Sequence, residues 1–346
     1  MKKSFIFVAI IAVLAVWIGV LYIQMNDNDE NTSTVVETYA VDGFSTDLSV
    51  IQKQVVSSVV TVNSLERLSS GFIYKTDDNG FYVITCAHSI NKEEDINVVL
   101  DNEQIYEAEL IGTDIYSDIA VLKVNSDIIV EPVSIANSEI LNEGEFVLCI
   151  GTPSSIEFRN STNFAIVSSK LRTISNSITV DKETYTYYTS LIQLSTSIDS
   201  GYSGSPVFNM NGEAVGVITM KASSEVLAVP INEVRMIADG LINDGEVIKL
   251  QLGVKGSYLK SLENYQKSNL GISLDIVDGL YVSQVQANSI ASTLGIVKGD
   301  IITDINSQHI TNNDDYLKAV YQKEENLSIS IYREGETITL SGTTND

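Results

Sequence analysis

Short runs of β-branched and aromatic residues, separated by turn signals, recur through this 346-residue chain and restrict it to a mainly β fold. Two hairpin signals, Asn79-Gly80 and Asn211-Gly212, each lie between strand-like runs. Asn and Gly tolerate the positive φ that tight hairpin turns require. Many short strands predict a barrel or sandwich, in which residues 232–241 are the one strong helix candidate. The strand-like runs are residues 72–75, 81–85, 119–124, 146–150, 178–180, 184–194, 207–208 and 214–219.

The sequence changes character at about residue 249, which indicates a second domain. Residues 47–248 then form the first, all-β domain, and residues 249–346 form a smaller one punctuated by glycines. Its predicted elements are strands at 271–276 and 280–285, a helix near 314–321, a strand with alternating Leu327, Ile329 and Ile331, and a turn at Glu334-Gly335.

The N-terminus resembles a membrane anchor. Lys2 and Lys3 precede an uncharged, mostly apolar run at residues 5–23, which is long enough to cross about 30 Å of hydrocarbon and longer than the core of a cleavable signal peptide. Residues 1–25 are therefore predicted to form a cytoplasmic stub and transmembrane helix, followed by an acidic linker at 26–46. Lysines before the span and acids after it predict a single-pass cell-membrane protein whose folded part lies outside the cytoplasm.

Composition excludes several classes of function. Lys and Arg total 21 against 45 Asp and Glu, a net charge of −24 that opposes binding to a nucleic-acid backbone. Cys86 and Cys149 lie far apart in apolar runs and are interpreted as buried free thiols. The chain has only two histidines, so we predict neither a metal site nor any other cofactor.

Three short segments carry candidate catalytic chemistry. His88 follows an apolar strand, where a general base can be held rigidly and still reach a cleft, whereas His309 lies in a polar turn without such a setting. Asp118 precedes a buried run and can orient an imidazole. Ser203 lies between Gly201 and Gly204, as expected for a nucleophile on a tight turn. Each segment alone also fits an ordinary structural role.

Taken together, these motifs resemble the chymotrypsin-fold serine proteases, most closely the HtrA/Deg family. The matching segments are Thr-Cys-Ala-His at 85–88, Ser-Asp-Ile-Ala-Val-Leu-Lys at 117–123 and Gly-Tyr-Ser-Gly-Ser-Pro at 201–206. Residues 252–254 and 297–302 resemble the PDZ domain that follows the protease in this family. The resemblance implies a trypsin-like double β-barrel followed by a PDZ domain.

The resemblance also implies roles for individual residues. Ser203 would be the nucleophile, His88 the general base and Asp118 the residue that orients it, with the amides of Gly201 and Ser203 as the oxyanion hole. A polypeptide substrate would pair with the strand at Thr219, Met220 and Lys221. In the PDZ domain, Leu252, Gly253 and Val254 would bind the C-termini of peptides.

Some positions depart from related families and bear on specificity. Tyr202 stands where digestive proteases carry an Asp that pairs with a newly cut N-terminus, so activation by that cleavage is not expected. Ser205 gives the Gly-Ser-Pro ending of glutamyl endopeptidases, but no further histidine is available in this domain to bind an acidic side chain. Ser197 replaces the acid of trypsin-like pockets, so we predict cleavage after small or medium apolar residues.

The expected function is that of an HtrA/Deg-type endopeptidase that cleaves misfolded or regulatory proteins. The alternative is a chaperone or peptide-sensing scaffold that keeps the protease fold without hydrolysis. HtrA relatives are often trimers built through aromatic residues near the start of the protease domain, which makes a homotrimer a further expectation; Phe44 is the one candidate residue.

Overall fold

The computed structural model describes most of the chain between residues 48 and 343. The predicted anchor at 1–25, the predicted linker at 26–46 and Phe44 lie outside the described residues, as do the side chains of Met220 and Lys221. Among the helices that are described, none has the length and apolar character needed to cross a bilayer. Within the range 48–343, the residues left out are 66, 92–94, 181–182, 223–224 and 323.

Six antiparallel strands form a first closed barrel. They are β1 (Val59–Ser64), β2 (Arg67–Asp77), β3 (Gly80–Cys86), β4 (Ile96–Val99), β5 (Ile105–Asp114) and β6 (Ile119–Asn125). The order around the barrel is β1-β2-β3-β6-β5-β4, and β4 pairs with β1 to close it. The turn predicted at Asn79-Gly80 joins β2 to β3. Alternating side chains such as Phe81 and Val83 fill the interior.

Six further strands form a second closed barrel. They are β7 (Phe146–Gly151), β8 (Ser161–Val180), β9 (Glu183–Leu194), β10 (Pro206–Phe208), β11 (Ala214–Ala222) and β12 (Glu225–Pro230). Their order is β10-β11-β12-β9-β8-β7, and β7 pairs with β10. The long strands β8 and β9 extend as a hairpin paired to Val180 and Glu183. Two six-stranded barrels are the double-barrel architecture predicted from the sequence.

Two helices pack against the barrels. Helix α1 (Leu48–Val55) precedes β1, and helix α2 (Ile231–Asp244) follows β12 and ends at Gly245, which has φ +76°. The buried face of α2 joins a core shared by both barrels, to which Ile51 and Val55 of α1 also belong. Helix α2 matches the predicted helix at 232–241, whereas α1 has no counterpart among the predicted elements.

The C-terminal part forms a third sheet with its own apolar core. Its strands are β13 (Val254–Tyr258), β14 (Leu280–Val285), β15 (Ile301–Ile305), β16 (Gln308–His309), β17 (Asn326–Arg333) and β18 (Glu336–Thr343), and its helices are α3 (Asn264–Asn269), α4 (Ile290–Thr293) and α5 (Asn313–Val320). The sheet order is β13-β14-β15-β17-β18, with β16 paired to β15. The predicted helix near 314–321 and the turn at Glu334-Gly335 are present.

One predicted element of this domain is wrong. The segment at 271–276, whose apolar residues alternate, contains turns and no strand. The Ile272 amide donates to the carbonyl of Lys267 at the end of α3, and the Ile276 amide donates to that of Ser273. Because these amides are used in local turns, they are not available to a strand ladder, and Ile272 packs on a small apolar cluster instead.

Candidate active site

His88 lies directly after β3, in a single 3₁₀ turn at Ala87–Ser89. The turn is fastened to the start of β6, because the Ala87 amide donates to the Asp118 carbonyl at 3.1 Å. The His88 side chain is 52% exposed and therefore open to solvent on one side. Strand β3 thus delivers the imidazole to the surface while holding its backbone fixed.

Asp118 contacts His88 with both carboxylate oxygens. Oδ2 is 2.5 Å from the imidazole Nδ1, and Oδ1 accepts the His88 backbone N–H at 2.8 Å. The Asp118 backbone has φ +59°, a left-handed conformation that Asp adopts more readily than most residues. Asp118 immediately precedes β6. Because β6 pairs with β3 along its length, Asp118 stays adjacent to His88, which follows β3.

The electrostatic surroundings of His88 favour its protonated form. The hydrogen bond to the Asp118 carboxylate raises the pKa of His88, whereas partial burial and the Arg67 guanidinium act in the opposite direction. Arg67 Nη1 donates to the His88 carbonyl at 2.9 Å. An imidazole in this setting can accept a proton and hold the resulting charge.

The loop at residues 201–206 has little freedom. Gly201 has φ +101° and Gly204 has φ +85°, and a Cβ on either would lie 2.2 Å from the Thr152 carbonyl oxygen or 2.0 Å from that of Ser70, respectively. Both positions therefore need glycine for conformation and for space. The Ser203 side chain between them is half-buried.

Shared anchors hold this loop against the segment that carries His88. The Ser70 amide donates to the Ser203 carbonyl at 2.9 Å, and Thr85 Oγ1, next to Cys86 on β3, donates to the Ser70 carbonyl at 2.7 Å. The Ile218 carbonyl accepts both the Gly204 amide at 2.7 Å and Cys86 Sγ at 3.3 Å. The structure thus brings all three predicted segments to one place.

Contact between the predicted catalytic side chains is partial. His88 and Asp118 are hydrogen-bonded, but the described residues contain no hydrogen bond between Ser203 Oγ and His88 Nε2. Catalytic hydrogen bonds are often long in unliganded enzymes and shorten when substrate binds. His88 and Ser203 are therefore kept near each other by the hydrogen bonds that hold their segments together, and not by a bond between their side chains.

Hydrogen bonds to the carbonyls on the other side of each peptide orient the amides of Gly201 and Ser203. For Ser203, the Tyr202 carbonyl accepts the Ser205 amide at 2.9 Å. The Ser200 carbonyl accepts the Ser154 amide at 2.8 Å, so the Gly201 N–H, which is opposite it across a trans peptide, points away from Ser154. The Gly201 carbonyl is held by Ser70 Oγ at 2.7 Å. No local motif indicates this role of Ser70, whose partner lies 131 positions away in the chain.

The residues predicted to contact substrate lie in two segments. Ser197 is exposed and its carbonyl accepts from Asn163 Nδ2 at 3.3 Å. Thr219 is buried at a bulge in β11, where the pairing with β12 shifts register between Ile218 and Met220. The backbone of β11 continues through Lys221, which pairs with Val226 of β12.

The only cluster of potential metal ligands among the described residues coincides with this site. Ligand atoms of Cys86, His88 and Asp118 all lie within 4.8 Å of one another. Burial, followed by the Asp118 charge, raises the pKa of the Cys86 thiol well above its usual range. Since a protonated thiol is a poor ligand and the imidazole and carboxylate already bind each other, the group is suited to hydrogen bonding.

The loop predicted to bind peptide C-termini lies at the edge of the third sheet. Leu252 is buried, and Gly253 has φ +79° with its potential Cβ 2.2 Å from that of Ser289. The carbonyls of Leu252 and Gly253 accept from the amides of Ala291 and Gln286. A cavity of about 370 Å³ begins at this loop. The cavity wall includes residues 250–254 and 256–258 around β13, residues 313 and 316–317 of α5, and residues 170–171, 173 and 188–190 of β8 and β9.

Comparisons with protein families agree with this architecture. Residues 69–217 match the model of a trypsin-like peptidase domain, and residues 281–333 match that of a PDZ domain. The serine protease Do-like HtrB of Bacillus subtilis (strain 168) is 32% identical over 284 residues, which cover 79% of this chain and 61% of that protein. The HtrA-like serine protease of Staphylococcus haemolyticus (strain JCSC1435) is 27% identical over 91% of this chain and 51% of its own length. The chain thus spans only half to three fifths of the length of these curated relatives.

Solved structures show the same fold. A serine endoprotease from Yersinia pestis is 25% identical, with a TM-score of 0.53 over 86% of this chain and 97% of the other. The HtrA-type protease AlgW with a tripeptide is 22% identical, with a TM-score of 0.59 over 86% of this chain and 96% of its own.

Proposed function

Because this chain combines a trypsin-like peptidase domain with a C-terminal PDZ domain and is a relative of the HtrA-like serine proteases, we propose that it is a serine endopeptidase acting on polypeptides. The observation that carries the proposal is the double contact between Asp118 and His88 beside the Ser203 loop. Its proposed substrates are misfolded or regulatory proteins.

In the proposed mechanism, His88 Nε2 removes the Ser203 hydroxyl proton as Oγ attacks the scissile carbonyl carbon. The protonated imidazole then gives this proton to the leaving amine. A water molecule, deprotonated in turn by His88, then attacks the acyl carbon. The bond from that carbon to Ser203 Oγ breaks, the imidazolium returns its proton to Oγ, and the carboxylic acid product leaves. Asp118 holds the proton on Nδ1, which leaves Nε2 free to act as the base, and stabilises the imidazolium.

The amides of Gly201 and Ser203 are the proposed oxyanion donors. Within the described residues neither amide is hydrogen-bonded to a protein acceptor, so both remain available for the negative oxygen of a tetrahedral intermediate. The glycine conformations at 201 and 204 fix the loop before substrate arrives. This preorganisation is worth several kcal/mol in serine proteases, about 3 to 4 per donor.

The substrate chain is proposed to add to the β11 backbone at Thr219, Met220 and Lys221. With Ser197 near the pocket and no acid at that position, we propose a preference for small or medium apolar residues before the cleaved bond. The bulge at Thr219 takes this residue out of register with β12 and supports a role in binding an added strand.

The PDZ domain is proposed to bind peptide C-termini at Leu252, Gly253 and Val254. Backbone amides of such a loop can receive a carboxylate, while β13 accepts an extended peptide as an added strand. The N-terminal segment is proposed to anchor the protein in the cell membrane, with both domains outside the cytoplasm, and assembly as a homotrimer is part of the proposal. Apolar residues 5–23 support the anchor.

A fluorophosphonate probe tests hydrolase chemistry directly, because it reacts only with an activated serine. The full chain in detergent should be labelled at Ser203, and Ser203→Ala should abolish labelling. Ser205→Ala is the matched control, since Ser205 is fully buried in the same loop. Absence of wild-type labelling with every C-terminal peptide tried would favour the non-hydrolytic chaperone or scaffold.

Peptide binding needs a separate test. Gly253→Ala should abolish binding of a fluorescent peptide with a free C-terminal carboxylate, because its Cβ would collide with Ser289. Gly295→Ala is the control, since Gly295 also has positive φ, +80°, but nothing lies within 4 Å of its potential Cβ. Equal binding by both variants would place the carboxylate elsewhere.

A further inference from the structure

A buried carboxylate on helix α2 is engaged from both the barrels and the C-terminal domain. Glu233 lies in the first turn of α2 and its side chain is only 3% exposed. Buried carboxylates are costly unless they are paired and hydrogen-bonded. Glu233 forms an ion pair with Lys249, which precedes the loop at 252–254 and is itself 10% exposed.

Two hydroxyl groups donate to the same Glu233 oxygen. Tyr321, which directly follows α5, donates from its OH to Oε1 at 2.9 Å. Ser117 Oγ, from the first barrel, donates to that oxygen at 3.4 Å. Burial and the nearby Glu233 charge raise the pKa of Tyr321 well above its usual range, so the phenol remains a donor. Lys249 Nζ also lies 5.4 Å from the centre of the Tyr321 ring.

Ser117 is the residue immediately before Asp118. Its amide donates to Asp114 Oδ2 at 3.2 Å, and its side chain is directed to Glu233. These two bonds fix Ser117 on both its backbone and its side chain. The following residue, Asp118, is in the left-handed conformation that orients its carboxylate toward His88.

We propose that Glu233 is a positioning residue for the catalytic aspartate: it holds Ser117, and thereby Asp118, while Lys249 and Tyr321 from the C-terminal side hold Glu233. The inference rests on the proposed function of Asp118 and adds a specific connection to it. A change in the position of Lys249 or Tyr321 alters the contact of Glu233 with Ser117. It thereby alters the position of Asp118, which orients His88. Lys249 and Glu233 both line the cavity that begins at the peptide loop, so a ligand there lies against this connection.

The variants are chosen to separate the acceptor from the charge. Glu233→Gln and Glu233→Leu both leave Lys249 without its ion-pair partner, but only Gln keeps an oxygen that can accept from Ser117 and Tyr321. Ser117→Ala removes the donor on the catalytic side, and Tyr321→Phe removes the donor on the other side. Tyr74→Phe is the matched control, because Tyr74 also donates to a carboxylate of α2, Asp239, at 3.0 Å.

The first readout is the titration of His88 by NMR in the full chain in detergent. The chain has two histidines, so His309→Gln assigns the signals. The charged and titratable groups around His88 are Asp118, Arg67 and the Cys86 thiol. If Ser117 supports Asp118, the His88 pKa should fall toward its ordinary value in Ser117→Ala and Glu233→Leu, and less in Glu233→Gln. Tyr74→Phe should leave it unchanged.

The second readout is the rate of fluorophosphonate labelling at Ser203. We expect about a tenfold loss in Ser117→Ala and Glu233→Leu, partial retention in Glu233→Gln, and wild-type rates in Tyr74→Phe. The loss of labelling rate caused by Tyr321→Phe should be smaller when Ser117→Ala is already present, because both substitutions act through Glu233. Additive losses in that pair contradict the shared connection.

The two readouts separate this inference from the proposed function. An unlabelled wild type contradicts hydrolase chemistry, yet the His88 titration still decides whether Glu233 supports Asp118. An unchanged His88 pKa in both Ser117→Ala and Glu233→Leu, with each variant folded by circular dichroism, overturns the inference whatever the labelling shows. A pKa shift of the same size in Tyr74→Phe also overturns it, because the effect would then not depend on Glu233.

Discussion

Asp118 binds His88 twice, through the imidazole Nδ1 at 2.5 Å and through the His88 backbone N–H at 2.8 Å. The second bond makes the orientation of the carboxylate depend on the backbone of the 3₁₀ turn as well as on the ring. The two backbones are also joined directly, because the Asp118 carbonyl accepts the Ala87 amide at 3.1 Å. The contact is therefore a rigid unit, and its removal should affect reactivity more than folding.

Asp118→Asn should reduce the rate of Ser203 labelling by about 10⁴-fold, as expected when the imidazole is held in the wrong tautomer. Asn tolerates the left-handed backbone and can still accept the His88 amide, so the variant should remain folded. Labelling kinetics and a thermal melt measure the two effects. A labelling rate within tenfold of wild type would show that Asp118 does not orient the base.

The raised pKa of His88 predicts two kinds of pH dependence. Labelling requires the neutral imidazole, so its acidic limb should have a midpoint above the ordinary value of about 6.5. A group whose folded pKa is raised stabilises the fold below its unfolded pKa and loses that contribution as pH rises through the folded value. The stability difference between wild type and His88→Gln should therefore be larger at pH 5.5 than at pH 9.

The pH dependence of stability is measured by denaturant unfolding of the wild type and of His88→Gln at pH 5.5 and pH 9. Asp118→Asn supplies the control, because it removes the carboxylate whose hydrogen bond, and to a lesser extent whose charge, raises the His88 pKa. In that background the His88→Gln difference should lose most of its pH dependence. An acidic limb below 6.5 in the wild type would indicate that burial and Arg67 outweigh Asp118.

The parts of the fold that were predicted correctly are those specified by local sequence. Asn79-Gly80 specifies a turn by itself, and the alternation of Leu327, Ile329 and Ile331 specifies a strand with one buried face. The same alternation at 271–276 gave a wrong strand, because a pattern of side chains does not show that the amides are used in turns after α3.

The supports of the candidate site could not be predicted in this way. Ser70 acts on a loop 131 positions distant, and Glu233 acts on Ser117 at a separation of 116. Neither residue belongs to a motif that specifies its partner. A glutamate in the first turn of a helix is typical of an exposed residue that favours the helix dipole, and only the packing of α2 between two domains makes Glu233 a buried acceptor.

Gly204→Ala should destabilise the protein by more than about 4 kcal/mol, because the new Cβ would meet a backbone oxygen that cannot move aside. That oxygen, on Ser70, lies 2.0 Å from the ideal Cβ position. Gly144→Ala is the control: Gly144 has φ +88° and nothing within 4 Å of its potential Cβ, so only the conformational cost of about 1 to 2 kcal/mol applies. Denaturant midpoints give the comparison, and equal losses would contradict the steric argument.

Both thiols should be unreactive in the folded protein. Cys86 and Cys149 are free and buried, as interpreted from the sequence. Burial raises the pKa of Cys149 to about 12 and that of Cys86 well above its usual range, so little thiolate forms at neutral pH. Mass spectrometry after iodoacetamide treatment at pH 8 should find no adduct natively and two after denaturation. A native Cys86 adduct that forms faster than unfolding would reveal an opening beside Asp118.

Arg333→Ala should destabilise the C-terminal domain by about 3 kcal/mol, because it leaves a buried carboxylate without its cation. Asp300 is 1% exposed and receives Arg333 Nε at 2.6 Å and Nη2 at 2.7 Å. It also accepts the Val297 amide at 2.8 Å. Arg333→Lys should recover only part of the loss, since an ammonium group cannot form the paired bonds of a guanidinium.

Hydrogen exchange measured on peptides from β15 reports this loss locally, without requiring that the whole chain unfold in one step. Exchange at Ile301 and Ile302 should accelerate in Arg333→Ala and less in Arg333→Lys. Arg159→Ala is the control: Arg159 pairs with Glu103, whose side chain is 73% exposed, and surface pairs contribute about 1 kcal/mol or less. Equal exchange in β15 in Arg333→Ala and Arg159→Ala would contradict this prediction. It would show that the two bonds from Arg333 to Asp300 do not stabilise the domain.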